Sequence, residues 1–114
     1  MLKACYNKAN TTAQEVFPMI RHICMFKLQE ENKEANIARF VENAKTITCI
    51  PTVKNYEVRV NSEKANPANY EVALIFDFES WEDLETYRVH PDHVAFGAFV
   101  RTIRESRACM DYEF

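Results

Sequence analysis

Acid–base chemistry is the activity best suited to the histidines and one tyrosine of this sequence. Proline is favoured at the first position of a helix, so Pro91 predicts a helix with His90 as its N-cap and His93 in its first turn. The positive end of a helix dipole disfavours imidazolium, which would keep His93 neutral at pH 7 and able to act as a general base. Tyr87, six residues earlier, can donate a hydrogen bond to a carbonyl oxygen or a developing enolate. The pattern predicts proton removal beside a carbonyl group, with Tyr87 as the hydrogen-bonding partner of His93.

A structural role is the alternative for each of these residues. His90 could serve only as a cap, His93 could satisfy a backbone carbonyl, and Tyr87 could be a core aromatic with a solvated hydroxyl. Whether the protein is an enzyme therefore stays open at this point. The histidines and scattered carboxylates lack the spacing of a metal-ligand set, so no metal is expected. Gly97 is the only glycine, which excludes a phosphate-binding glycine loop, and no cofactor is expected.

Length and charge restrict the class of protein. The 114 residues predict one domain, and 17 acidic against 14 basic side chains give a net charge of −3. A nucleic-acid partner would require clustered basic residues, and a membrane span would require an apolar run of roughly 18 residues. Residues 1–19 are too polar for a secretory signal, so a cytoplasmic location is expected, without nucleic acid or membrane as a partner. Four widely spaced cysteines with apolar neighbours are expected as reduced thiols, namely Cys5, Cys24, Cys49 and Cys109.

Hydrophobic periodicity predicts four strands and two helical regions. The strands are expected over residues 20–28, 53–60, 70–78 and 107–113. An amphipathic stripe over residues 37–47 predicts the first helix. The second helical region begins after Ser80, which predicts an N-cap, and continues in a segment from Pro91 to about Glu105. The order β-α-β-β-α-β is that of the ferredoxin-like α+β fold, with a four-stranded antiparallel sheet.

One face of this sheet is apolar enough to receive both helical regions. Its members are His22, Cys24, Phe26, Tyr56, Val58, Val72, Leu74, Phe76, Met110 and Tyr112. Between this face and the helices we expect a pocket for a small apolar molecule. The predicted binding residues are Phe26, Val72, Leu74, His90, Phe96 and Met110. His22 lies on the same face and is expected to converge with His93 and Tyr87 as a third catalytic residue.

The opposite face combines apolar and charged residues. Ile23, Met25 and Ile75 stand there among charges of both signs, and both helical connections lie on the other side of the sheet. A second copy of the chain packed sheet to sheet would cover them, which predicts a homodimer. The alternative is a monomer with a few exposed apolar side chains.

Four segments of the sequence resemble the family of stress-responsive dimeric α/β-barrel proteins. They are residues 19–27 (MIRHICMFK), 50–53 (IPTV) followed by 56–58 (YEV), 90–96 (HPDHVAF) and 111–113 (DYE). The third is similar to the family's H-P-x-H-V-x-F segment and is the most specific. The resemblance covers residues 19–113, so the chain is divided into an N-terminal extension, residues 1–18, and a domain over residues 19–114. The extension is expected to contact a neighbouring subunit.

The resemblance implies a site and three candidate functions. The family includes plant polyketide cyclases, which close a ring by an intramolecular aldol reaction without a cofactor. Their catalytic histidine and tyrosine correspond to His93 and Tyr87, and a first-strand histidine corresponds to His22. Their third-strand pocket histidine is replaced here by Val72. The candidates are a cofactor-free cyclase or isomerase acting on a small apolar carbonyl compound, a non-catalytic stress-responsive dimer that binds a ligand or is structural, and a quinol-type monooxygenase.

Overall fold

Four antiparallel strands and three helices follow one another along residues 18–114, which are the residues described by the computed structural model. In chain order they are β1 (Ile20–Leu28), α1 (Lys33–Thr48), β2 (Asn55–Val60), β3 (Val72–Phe78), α2 (Trp81–Val89), α3 (Pro91–Ile103) and β4 (Arg104–Glu113). The strand order across the sheet is β2-β3-β1-β4. The predicted ferredoxin-like α+β fold is confirmed, with the second helical region divided into α2 and α3. The expected N-terminal extension lies outside the described residues, apart from Pro18.

Local sequence signals determine where α2 and α3 begin. The Oγ of Ser80 accepts a hydrogen bond of 3.0 Å from the backbone N–H of Asp83. The Nδ1 of His90 accepts one of 3.0 Å from the backbone N–H of Asp92, immediately before α3. Both predicted N-caps are therefore confirmed. Within residues 18–114, no helix combines the length and the apolarity that a membrane crossing requires.

The helix α3 continues into β4 without a loop. It ends at Ile103, and β4 begins at Arg104, earlier than the predicted strand start at residue 107. Gln29 fixes this junction, because its backbone N–H donates to the Ile103 carbonyl at 2.9 Å and its side chain donates to the Arg104 carbonyl at 3.1 Å. The junction places the end of α3 directly beside the end of β1.

All three helices pack on one side of the sheet, which we call the helix face. Phe40, Tyr87 and Phe96, one from each helix, belong to the same buried cluster as the sheet residues Phe26 and Phe76. Burial of each such side chain contributes about 1.5–3 kcal/mol to folding. This cluster holds the helices at fixed positions over β1 and β3.

The pairing of β4 with β1 corrects one part of the sequence interpretation. Met110 lies opposite Ile23, and Tyr112 lies opposite Arg21. Residues paired across antiparallel strands point to the same side, so Met110 and Tyr112 lie away from the helices. Met110 is 63% exposed there, and its predicted role in the pocket is wrong.

The side of the sheet away from the helices, which we call the open face, carries apolar residues around an ion pair. Met25 is 36% exposed, with Ile23 and Ile75 half-buried beside it. Arg21 donates to both carboxylate oxygens of Asp77, at 2.8 and 3.0 Å. The hydrogen bonds from Arg21 hold the pKa of Asp77 below its ordinary value. The open face is thus ordered and partly apolar.

Two of the cysteines are joined. Cys24 and Cys109 form a disulfide across β1 and β4, so the expectation of reduced thiols is wrong for this pair. The partners are 85 residues apart in the sequence, and only the strand register places them opposite one another. Cys49 is exposed and has no disulfide partner among residues 18–114, and Cys5 lies outside the described residues.

Candidate active site

A cavity of about 100 Å³ lies between the helix face and α3. The three residues predicted to be catalytic, His22, Tyr87 and His93, all line it. The rest of the wall has an apolar part and a basic part. The apolar part consists of Cys24, Phe26, Leu74, Phe96, Gly97 and Val100, and the basic part, three arginines, is described below. The fold therefore brings the two histidines and the tyrosine together although β1, α2 and α3 supply one each.

A backbone contact determines the tautomer of His93. Its Nδ1 lies 2.9 Å from the carbonyl oxygen of Arg88. A carbonyl oxygen only accepts hydrogen bonds, so Nδ1 carries the proton and Nε2 retains a lone pair. Burial is the largest cause of a pKa below the ordinary value of 6.5, and repulsion from His22 and Arg107 acts in the same direction. His93 is therefore neutral at pH 7, as predicted, and its burial favours this state.

The hydroxyl of Tyr87 is buried without a partner. The residue is 1% exposed, and its Oη has no hydrogen bond to any residue in the range 18–114. The predicted hydrogen bond to His93 is absent, and instead the two rings pack with their centroids 4.5 Å apart. Burial raises the pKa of Tyr87 far above 10, so the phenol keeps its proton. A buried hydroxyl without a partner costs about 1–3 kcal/mol of folding free energy. A ligand that accepted a hydrogen bond from it would offset this cost.

An aspartate holds the third predicted residue. The Nδ1 of His22 hydrogen-bonds with the Oδ1 of Asp111, its cross-strand neighbour on β4. The ring centroids of His22 and Tyr87 are 6.2 Å apart. The carboxylate therefore fixes the ring of His22 on the cavity side of the sheet. The sequence interpretation missed Asp111 because it assigned Met110 and Tyr112, rather than Asp111, to the helix face.

The predicted binding residues divide into two groups. Phe26, Leu74 and Phe96 line the cavity. Val72 is buried in the core outside the cavity wall, and His90 caps α3. Val72, His90 and Met110, the last of which lies on the open face, are therefore not part of the site.

Three arginines were missed altogether. Arg101, Arg104 and Arg107, which we call the arginine cluster, line the same cavity. Arg101 lies in the last turn of α3, and the other two lie at the start of β4. In the sequence, the only indication of this cluster is the regular spacing of the three arginines. They come together in space because α3 and β4 join without a loop.

Larger depressions elsewhere on the surface contain none of the predicted catalytic residues. One of about 330 Å³ lies beside Met25 on the open face, and one of about 370 Å³ lies between α1 and β2 beside Tyr56. Neither brings a histidine together with a buried hydroxyl. The smaller cavity is therefore the candidate active site.

Comparison with known proteins agrees with this fold. Residues 20–114 match the family described as the stress responsive A/B barrel domain. The chain therefore belongs to this family, and the family predicted from the sequence is confirmed.

Individual relatives resemble most of the chain. Olivetolic acid cyclase of Cannabis sativa is 28% identical over 95 residues, which cover 82% of this chain and 94% of the relative. A dimeric ferredoxin-like protein of unknown function from Bacteroides fragilis is 34% identical with a TM-score of 0.73, over 84% of this chain and 96% of that one. A dimeric ferredoxin-like protein of unknown function from Thermobifida fusca has a TM-score of 0.78 at 23% identity, over 86% of this chain and 92% of that one.

Proposed function

We propose that this protein is a cofactor-free enzyme that enolises a small apolar carbonyl compound, leading to ring closure or isomerisation. The observation that carries the proposal is that Tyr87, whose buried hydroxyl has no hydrogen-bond partner among residues 18–114, lines the same cavity as the neutral imidazole of His93. A protonated donor and an available base are the two groups that enolisation requires. The similarity to a cyclase over 82% of the chain supports the same reaction class.

The proposed steps use only these side chains. The Nε2 of His93 removes a proton from the carbon next to the carbonyl, and the electron pair of that C–H bond moves towards the carbonyl oxygen. The hydroxyl of Tyr87 donates a hydrogen bond to the resulting enolate. In ring closure, the enolate carbon attacks a second carbonyl of the same molecule, and His93 returns its proton to the new alkoxide. In isomerisation, the proton returns to a different carbon.

Hydrogen–deuterium exchange tests the first step without knowledge of the natural substrate. The probe is the methyl ester of 3-benzoylpropanoate, a neutral ketone whose CH2 beside the carbonyl exchanges in D2O and is followed by proton NMR. We expect the protein to accelerate this exchange and His93→Ala to remove the acceleration. Tyr87→Phe should slow it by about tenfold to a thousandfold, because the hydrogen bond to the enolate is lost.

A matched histidine provides the control. His90→Asn removes an imidazole outside the cavity and keeps a good N-cap for α3, so exchange should be unchanged. Acceleration no greater than that of free imidazole would contradict the proposal. Binding without exchange would indicate a non-catalytic ligand-binding protein, and oxygen consumption with a hydroquinone would indicate a monooxygenase.

We also propose that the protein is a homodimer that associates through its open face. Met25, Ile75 and Met110 lie on that face and are wholly or partly exposed. The relatives from Bacteroides fragilis and Thermobifida fusca are described as dimeric, which supports the same assembly here. Sheet-to-sheet packing would leave the helix face and its cavity free to bind a ligand.

A further inference from the structure

We propose that the substrate carries a carboxylate, which the arginine cluster binds while the ketone lies in the cavity beside Tyr87 and His93. This inference rests on the proposed function and adds a substrate class to it. Arg107 is paired with Phe26 across β4 and β1, on the helix face. The side chain of Arg101 lies over Gly97 of the same helix, with its Nη1 3.7 Å from the position that a Cβ on Gly97 would occupy. The cluster thus shares one cavity with the proposed base.

The arginine cluster differs from most of the other arginines of residues 18–114 in its lack of ion-pair partners. Arg39 also lacks an acidic partner, but its guanidinium donates to the Oδ1 of Asn36 at 2.9 Å. Arg21, Arg59 and Arg88 each have a carboxylate oxygen within 3.0 Å. Within residues 18–114, none of the three cluster residues has an acidic partner within salt-bridge distance. Like charges around a small cavity raise its positive potential, and a bound anion lowers their mutual repulsion.

The remaining groups of the site agree with an anionic ligand. Asp111, on the same face of β4 as Arg107, is already hydrogen-bonded to His22. The hydroxyl of Tyr87 has no hydrogen-bond partner among residues 18–114, so it is free to donate to the ketone oxygen of such a ligand. An aromatic or aliphatic body would fit the apolar part of the cavity, and a guanidinium binds a carboxylate through two parallel hydrogen bonds. A compact keto acid combines an apolar body, a ketone that can accept a hydrogen bond from Tyr87, and a carboxylate.

Binding measurements on a matched pair of probes test this inference separately from turnover. The pair is 3-benzoylpropanoate and its methyl ester, which share the ketone and the aromatic ring and differ in charge. By calorimetric or NMR titration at low salt, we expect the acid to bind more tightly than the ester. Arg107→Gln should weaken binding of the acid by about tenfold and leave the ester unchanged. Arg101→Gln should act in the same way, so the test does not depend on one variant.

The control is Lys64→Gln, which removes one positive charge from the exposed loop between β2 and β3. It should leave both affinities unchanged. Equal affinity for acid and ester, or an equal loss of both in the arginine variants, would overturn the inference. Displacement of the acid by inorganic phosphate at comparable concentration would assign the cluster to phosphate instead. If the protein catalyses exchange of the ester but shows no preference for the acid, the proposed function is retained and only the inference of a carboxylate substrate is contradicted.

Discussion

Burial prepares His93 and Tyr87 in opposite ways. It lowers the pKa of the imidazole and raises that of the phenol. At pH 7 the same desolvated wall therefore contains a base without its proton and a donor that keeps its proton. Burial is the largest cause of both states, and repulsion from His22 and Arg107 adds to it for His93.

The pH dependence of catalysis should follow His93. We expect the acid limb of the exchange rate to have its midpoint below the value of about 6.5 for an ordinary histidine. Because the folded-state pKa is lowered, the unfolded chain binds the proton more readily, so this group also reduces stability as the pH falls below about 6.5. Exchange rates and an NMR titration of His93 between about pH 4 and 8 measure both effects. His90→Asn should leave the midpoint in place, and a midpoint above that of free imidazole would contradict the role of His93 as base.

Tyr87→Phe should separate stability from activity. Removal of a buried hydroxyl without a partner should leave the free energy of unfolding unchanged or raise it by up to about 1 kcal/mol, since a desolvated polar group is lost. Urea denaturation measures this quantity. Tyr56→Phe, at a side chain that is 57% exposed, is the control and should have little effect on stability or exchange. A substantial loss of stability in Tyr87→Phe would mean that the hydroxyl has a partner in solution.

At the scale of elements, α3 contains a glycine that lowers the stability of the helix. Gly97 lies inside this helix with an ordinary negative φ, where glycine costs about 0.5–1 kcal/mol relative to alanine. An added Cβ would meet the Nη1 of Arg101 at 3.7 Å, an ordinary contact. The fold therefore does not require glycine at this position. Because Gly97 lines the cavity, the space that it leaves is available to a ligand.

Gly97→Ala should therefore stabilise the protein and weaken its site. We expect thermal unfolding to indicate a gain of about 0.5–1 kcal/mol, and both benzoylpropanoate probes to bind less tightly because the methyl group occupies cavity space. The reciprocal control is Ala98→Gly, an exposed position of the same helix. It should lose a similar amount of stability and keep the affinity. Unchanged affinity in Gly97→Ala would show that the cavity does not bind the ligand beside this residue.

Local rules explain which elements could be predicted. Ser80 and His90 cap their helices through contacts within three residues, so the sequence is sufficient there. The alternation in β4 indicates which residues share a side, but pairing with β1 decides which side that is. Met110 is as apolar as a core residue, and only its place opposite Ile23 assigns it to the open face.

The same distinction applies to the candidate site. The convergence of His22, Tyr87 and His93 followed from their elements and from the family resemblance. The contact between Asp111 and His22, and the arginine cluster, depend on strand register and on the direct junction of α3 with β4. Local spacing alone is therefore not sufficient to predict either feature.

At the scale of the whole molecule, the open face controls assembly. Met25→Glu and Ile75→Glu should convert a species of twice the chain mass of 13.4 kDa into one of single mass, because an unpaired charge would be buried between the sheets. Light scattering measures the mass, and circular dichroism should show unchanged secondary structure. Val89→Glu, on α2 at a residue 59% exposed, is the matched control and should remain a dimer. A monomeric wild-type protein at micromolar concentration would contradict this assembly.

The direct junction of α3 and β4 has a consequence for protein engineering. Tyr87, His93, the arginine cluster and Asp111 all lie within residues 87–111, whereas the apolar walls Phe26 and Leu74 come from other strands. The reactive and charged groups can therefore be exchanged as one continuous segment between relatives of this fold, with His22 as the single addition. Grafting this segment into a related scaffold would transfer the charge preference, while the recipient's own walls would set the size of the ligand. In this chain, the reactive and charged side chains and the apolar walls that determine the size of the cavity are thus supplied by different segments.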